Sequence, residues 1–207
     1  MDSRVAQTGQ TTDCLDPKTH SDWGKPGKDD AYWAEQGVGA SWSGDGSRFK
    51  DNGDGTVLDQ MTGLMWTKNA NMVIKDSGEN ITVNWDDAFT SIDTINTINK
   101  GYALPEGCNE DDNVQCYTDW RLPNIKELMS LLDFGKKYPP LPEEHEDVFV
   151  EVINNVTTTT VKWDYYWSST TNVGNSSEAW SVYFTIGSIK PKQKDTTGRV
   201  WPVRAGN

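Results

Sequence analysis

Three aspartates, Asp51, Asp54 and Asp59, crowd one short stretch of the chain. Calcium, which takes several hard oxygen ligands, is the one cofactor such a cluster raises. The spacing lacks the alternating ligands and distal Glu of an EF-hand loop. The simpler reading of Asp51-Asn52-Gly53-Asp54-Gly55 is a hairpin turn. Glu110, Asp111 and Asp112 form a second acidic patch, read more simply as a solvated loop tip.

Lys190, Lys192 and Lys194 alternate. On one strand they would share a face, making an anion-binding strip. Lysines so placed also protect an edge strand against unwanted pairing. Tyr165 and Tyr183 are the aromatics best placed to stack on sugar rings, and second-layer packing is the competing reading. Cys108 and Cys116 lie close enough in sequence to close a disulfide loop if the chain turns back, or else stand as two thiols. Cys14 is then the odd cysteine, free or paired between chains.

Enzyme chemistry finds little support. The two histidines, His20 and His145, lie in no pattern with a nucleophile. There is no nucleophile elbow, zinc spacing or phosphate loop, and no carboxylate pair is singled out. The reading is a non-catalytic protein.

Composition narrows the class further. The chain has 207 residues, with 31 Asp and Glu against 19 Lys and Arg, a net charge of -12. Nucleic-acid binders usually carry the opposite sign. No apolar run is long enough to span a bilayer. The charge is uneven. Residues 187–207 hold Lys190, Lys192, Lys194, Arg199 and Arg204 against Asp195 alone. Ten tryptophans among few aliphatics predict a loop-rich domain with an aromatic core.

Met1 is followed by no secretory pattern. Either the protein is cytosolic or a leader has been removed. Acidity, the disulfide candidates and the many Asn, Thr and Gly residues favour the second, hence an extracellular or cell-surface setting. Asn80, Asn155 and Asn175 head Asn-x-Ser/Thr sequons, which matter only where the cell glycosylates them.

The elements that must position these residues divide the chain in two. Residues 1–44 read as an extended arm whose Trp23, Trp33 and Trp42 need a surface to anchor on. Residues 45–207 read as the folded domain. Thr56–Asp59 and Leu64–Thr67 predict a hairpin. Asn84 caps a helix whose apolar face is Trp85, Ala88, Phe89, Ile92 and Ile95. Asn124 and Glu127 have capping-box spacing for a second helix, with Ile125, Leu128, Met129 and Leu132 inward and Gly135 as the stop. Residues 143–160 show no clear pattern. Strands follow, one of them with Trp180, Val182 and Phe184 inward. Two short helices packed on antiparallel strands make an α+β domain.

These residues also carry a resemblance. Arg48-Phe49, Asp51-Asn52-Gly53-Asp54-Gly55-Thr56-Val57, Asp59 and Thr62-Gly63-Leu64-Met65-Trp66 resemble the opening of the Lcl C-terminal domain family. That family is named from the C-terminal domain of the Legionella collagen-like adhesin. Its other marks follow in order: Trp85 with Ala88, Asp119-Trp120-Arg121-Leu122-Pro123-Asn124 with Glu127-Leu128, Tyr166-Trp167-Ser168-Ser169-Thr170, and Val203-Arg204. The resemblance implies a bacterial, surface-exposed unit, distantly similar to C-type-lectin-like folds. It implies adhesion or ligand binding, and in the namesake the domain binds sulfated glycans. A net charge of -12 would oppose a polyanion at long range. Two functions follow. One is a surface binding domain for a glycan or a receptor. The other is a structural subunit of an extracellular filament or homopolymer, joined through the arm.

Overall fold

The computed structural model describes residues 48–72, 82–97, 116–132, 148–153, 156–158 and 165–206. The arm residues 1–44, Cys14, Cys108 and the acidic patch at 110–112 lie outside these.

Four strands form the first sheet: β1 (Phe49–Asp51), β2 (Thr56–Asp59), β3 (Leu64–Thr67) and β9 (Val203–Ala205), in the order β1-β2-β3-β9 and antiparallel throughout. Aspartates build its turns. Asp51 Oδ1 accepts the Gly53 N–H at 2.9 Å, and Asp54 Oδ1 accepts the Thr56 N–H at 3.0 Å. Such local bonds stabilise tight turns. Gly53 and Gly55 take φ of 76° and 82° there, the left-handed region that glycine enters without a Cβ penalty.

Helix α1 (Trp85–Ile95) starts where Asn84 Oδ1 accepts the Asp87 N–H at 2.9 Å. Asp86 and Asp87 lie in its first turn, where the helix dipole favours negative charge. Ala88, Ser91, Ile92 and Ile95 are buried. Trp85 and Phe89, expected on that apolar face, are only half-buried and mark its rim. The helix ends on Asn96, whose side chain donates to the Trp120 carbonyl and accepts the Trp120 N–H, at 2.8 and 3.0 Å.

Helix α2 (Ile125–Ser130) carries the expected capping box. Asn124 Oδ1 accepts the Glu127 N–H at 3.0 Å, and Glu127 Oε2 accepts the Asn124 N–H at 2.8 Å. It stops at Leu131, ahead of Gly135. Leu128 is its buried residue, Leu131 and Leu132 just past its end are buried too, and Ile125 and Met129 are half-buried. The stretch without a sequence pattern contains a hairpin, β4 (Glu151–Ile153) with β5 (Val156–Thr158).

The second larger sheet is β6 (Tyr165–Thr171), β7 (Glu178–Tyr183) and β8 (Ser188–Gln193), antiparallel, with an irregularity in β6 between Trp167 and Thr171. Among the described residues strand β8 is one edge of this sheet, and Pro191 stands in it opposite Trp180.

Two apolar clusters flank this sheet. Adjacent strand residues point to opposite faces. Tyr166 and Val182 join one cluster, Trp167 and Ala179 the other. Strand β7 is therefore covered on both faces, and Trp180, expected in the core, is half-buried. The first cluster is organised on Trp201. Its ring meets those of Trp66, Phe149, Tyr166 and Phe184 at 5.6, 5.0, 5.5 and 5.8 Å between centroids. Its Nε1 donates to the Thr67 carbonyl at 3.1 Å. Aromatic rings thus supply the burial that scarce aliphatics do not.

Candidate functional site

The aspartates do not form a metal cluster. Asp59 is fully buried and takes two hydrogen bonds from Arg48, Nε to Oδ1 at 2.8 Å and Nη2 to Oδ2 at 2.6 Å. It also accepts the Thr62 hydroxyl at 2.7 Å. Asp51 pairs with Lys68 at 2.6 Å. The Lys68 ammonium, foremost among its partners, holds the Asp51 carboxyl below its usual range. Asp54 accepts the Thr56 hydroxyl at 2.5 Å. Each carboxylate is employed in a turn or an ion pair. No group of three His, Cys, Asp or Glu is arranged to hold a metal among the described residues. Cys116 is disulfide-bonded, and Cys108, the partner expected from the sequence, lies outside the described residues.

The basic and aromatic candidates, by contrast, come together. Tyr165 pairs with Tyr183 across β6 and β7, and Ser181 with Lys190 and Ala179 with Lys192 across β7 and β8. Partners in register share a face, so Tyr165, Tyr183, Lys190 and Lys192 lie on one side of the sheet. The two tyrosine rings stack at 4.7 Å with 20° between planes. Small residues at Ala179 and Ser181 let Lys192 reach across β7. Its ammonium lies 4.5 Å from the Tyr165 ring centroid and 5.6 Å from that of Trp167, and it donates to the Thr197 carbonyl. Lys194 follows β8 and extends the row onto α1. Its Nζ sits 3.9 Å from the Trp85 ring centroid and donates to Thr171 Oγ1 at 3.0 Å.

Trp85 belongs to this face although its spacing pointed to the helix core. It is anchored by its indole N–H, which donates to the Ser168 carbonyl at 2.8 Å. Its position at the first residue of α1, one turn before Phe89, was the only signal of a rim residue; the rings of the two meet edge-on at 4.7 Å. The three lysines therefore differ. Lys192 and Lys194 hold their ammonium groups over aromatic rings. Each such cation–π contact is worth roughly 0.5–1 kcal/mol where partly exposed. Lys190 is exposed.

Two further charged groups brace the neighbourhood. Arg121 donates from both terminal nitrogens to Glu127, at 2.7 and 2.6 Å. Burial pushes the Glu127 carboxyl up, but Arg121 and the Asn124 N–H outweigh it and hold it below the usual range. Arg199 pairs with β6 through its backbone, and burial pushes its guanidinium down to about 10.

The face offers aromatic rings, hydroxyls and ammonium groups, and is suited to stacking on a sugar ring and holding negative charge. Neither His20 nor His145 lies among the described residues. No described helix is long and apolar enough to cross a membrane. The polymer reading rests on residues 1–44, outside the described residues. The family model described as the Lcl C-terminal domain matches residues 55–204. No curated protein matches the chain significantly.

Proposed function

This chain belongs to the Lcl C-terminal domain family, and on that premise we propose that it is a non-catalytic binding domain with an adhesion role, recognising glycans outside the cell. The observation that carries the reading is the convergence of Tyr165, Tyr183, Lys190, Lys192 and Lys194 on one sheet face, with Trp85 at its rim. Aromatic faces offer apolar stacking to the CH surface of a pyranose, and ammonium groups offer hydrogen bonds to its hydroxyls and charge to any acid it bears. The surrounding sheet is fixed by the second cluster, so the contacts are held before a ligand arrives. The reading includes a C-type-lectin-like fold, supported by two short helices set against antiparallel sheets.

The test is a glycan array probed with the full chain and with Tyr183→Ala. Retention on some glycans, weakened by the substitution, is the expected result. Absence of retention on neutral, carboxylated and sulfated glycans alike would overturn the glycan reading.

A further inference from the structure

We infer that the open end of this face, between Tyr183 and Lys190, is a subsite for a pyranose bearing a single negative charge. The inference rests on the reading of the chain as a glycan-binding domain and narrows it.

Tyr165 is occupied: Tyr183 stacks 4.7 Å away and the Lys192 ammonium lies 4.5 Å from its centroid, too close for both to share one side of the ring. Lys192 and Lys194 are each held over a ring and bonded to an oxygen. Tyr183 is different. One face of its half-buried ring meets Tyr165, and it makes no second ring contact and no side-chain hydrogen bond among the described residues. The Lys190 ammonium likewise has none. The stack runs across the strands from β6 to β7, so the side of Tyr183 away from Tyr165 looks toward β8. There Ser188 lies directly opposite it, and Lys190 is the next residue on the same face. This ring and one open cation are thus diagonal neighbours, at a spacing within reach of long side chains.

The charge of the ligand follows. Among the described residues one cation stands unengaged at this end of the face, on a protein of net charge -12. A polyanion meets repulsion from the whole surface, while a single charge is answered locally by Lys190. The apolar CH face of the sugar covers Tyr183, and its acidic group reaches the ammonium. A carboxylate and a monosulfate both meet this chemistry.

The experiment titrates the full chain, followed by NMR, with methyl glucoside, methyl glucuronide, galactose 6-sulfate and heparin. One or both of the singly charged sugars should bind at least tenfold more tightly than methyl glucoside, and their ranking identifies the acidic group. Lys190→Gln, at an exposed position, should bring charged and neutral sugars level, whereas Lys50→Gln, exposed on β1 in the other sheet, should leave the preference in place. In the unmodified chain, protons of the bound sugar ring should show contacts to the Tyr183 ring, which makes the test independent of how a Tyr183 variant folds. Equal binding of charged and neutral sugars, or a preference that survives Lys190→Gln, overturns the inference. Retention on heparin alone does the same while leaving the glycan reading in place. Binding of none of the four removes both.

Discussion

Arg48 and Asp59 meet inside the fold, two nitrogens of one guanidinium on the two oxygens of one carboxylate, with Asp59 fully buried. Arg48 also donates to the Ser130 carbonyl at 2.8 Å, tying β1 to the end of α2. Removing one partner of such a pair leaves a buried charge unanswered. Asp59→Asn should cost about 3–5 kcal/mol in a urea titration. Arg48→Met combined with Asp59→Leu should cost less than Asp59→Asn alone.

Asp54 serves the turn before β2. Asp54→Ala should loosen it by about 1 kcal/mol, the scale of a lost local side-chain bond to the backbone. Thermal melts should show the same loss in calcium and in chelator. A loss confined to calcium buffer would return Asp54 to the role of a metal ligand.

The lowered Glu127 carboxyl fixes a direction for acid sensitivity. Its folded value lies below the ordinary 4.5, so its contribution is complete above that value and is lost as pH falls through the lowered one. Glu127→Gln should cost about 1 kcal/mol near neutrality. The variant's stability should also fall less as the pH is taken down below 4.5, where the carboxylate protonates.

Gly198 leaves no room for a side chain. A Cβ there would stand 2.9 Å from Trp167 Nε1 and 3.0 Å from the Tyr165 carbonyl oxygen. Gly198→Ala should destabilise by about 1–3 kcal/mol, the usual cost of overpacking. It should also shift tryptophan fluorescence, because Trp167 donates from the displaced Nε1 to the Val83 carbonyl at 2.9 Å.

Lys192 is expected to act mainly as a roof. Lys192→Met keeps the stem and loses the cation, so its cost should stay near the ~0.5–1 kcal/mol of an exposed cation–π contact. Lys192→Ala uncovers Trp167 and should cost more. Equal costs in a denaturant titration would mean that charge alone matters.

What the sequence made legible was local. Asn84, Asn124 with Glu127, and the Asp-Gly turn announce themselves because a cap or a turn is closed by residues two or three apart. The period-two lysines were legible for the same reason. Their unequal status was not, since it depends on Trp85, Trp167 and Thr197, which only the tertiary fold brings to them. Asp59 looked like its solvent-facing neighbours because its partner Arg48 is fixed by strand pairing, not by spacing. The β4–β5 hairpin was hidden by short strands, three residues each, which are too brief to show a period.

Pro191 bears on how copies of the chain can meet. It stands inside the six-residue edge strand β8, without an N–H to offer. An incoming strand aligned on that edge would find a gap in its ladder at the middle, flanked by Lys190 and Lys192. Growth of the sheet from one molecule into the next is therefore discouraged at this border. A neighbouring copy is thereby kept from laying its strand beside Lys190, and this border of the face stays clear in a crowd of identical chains.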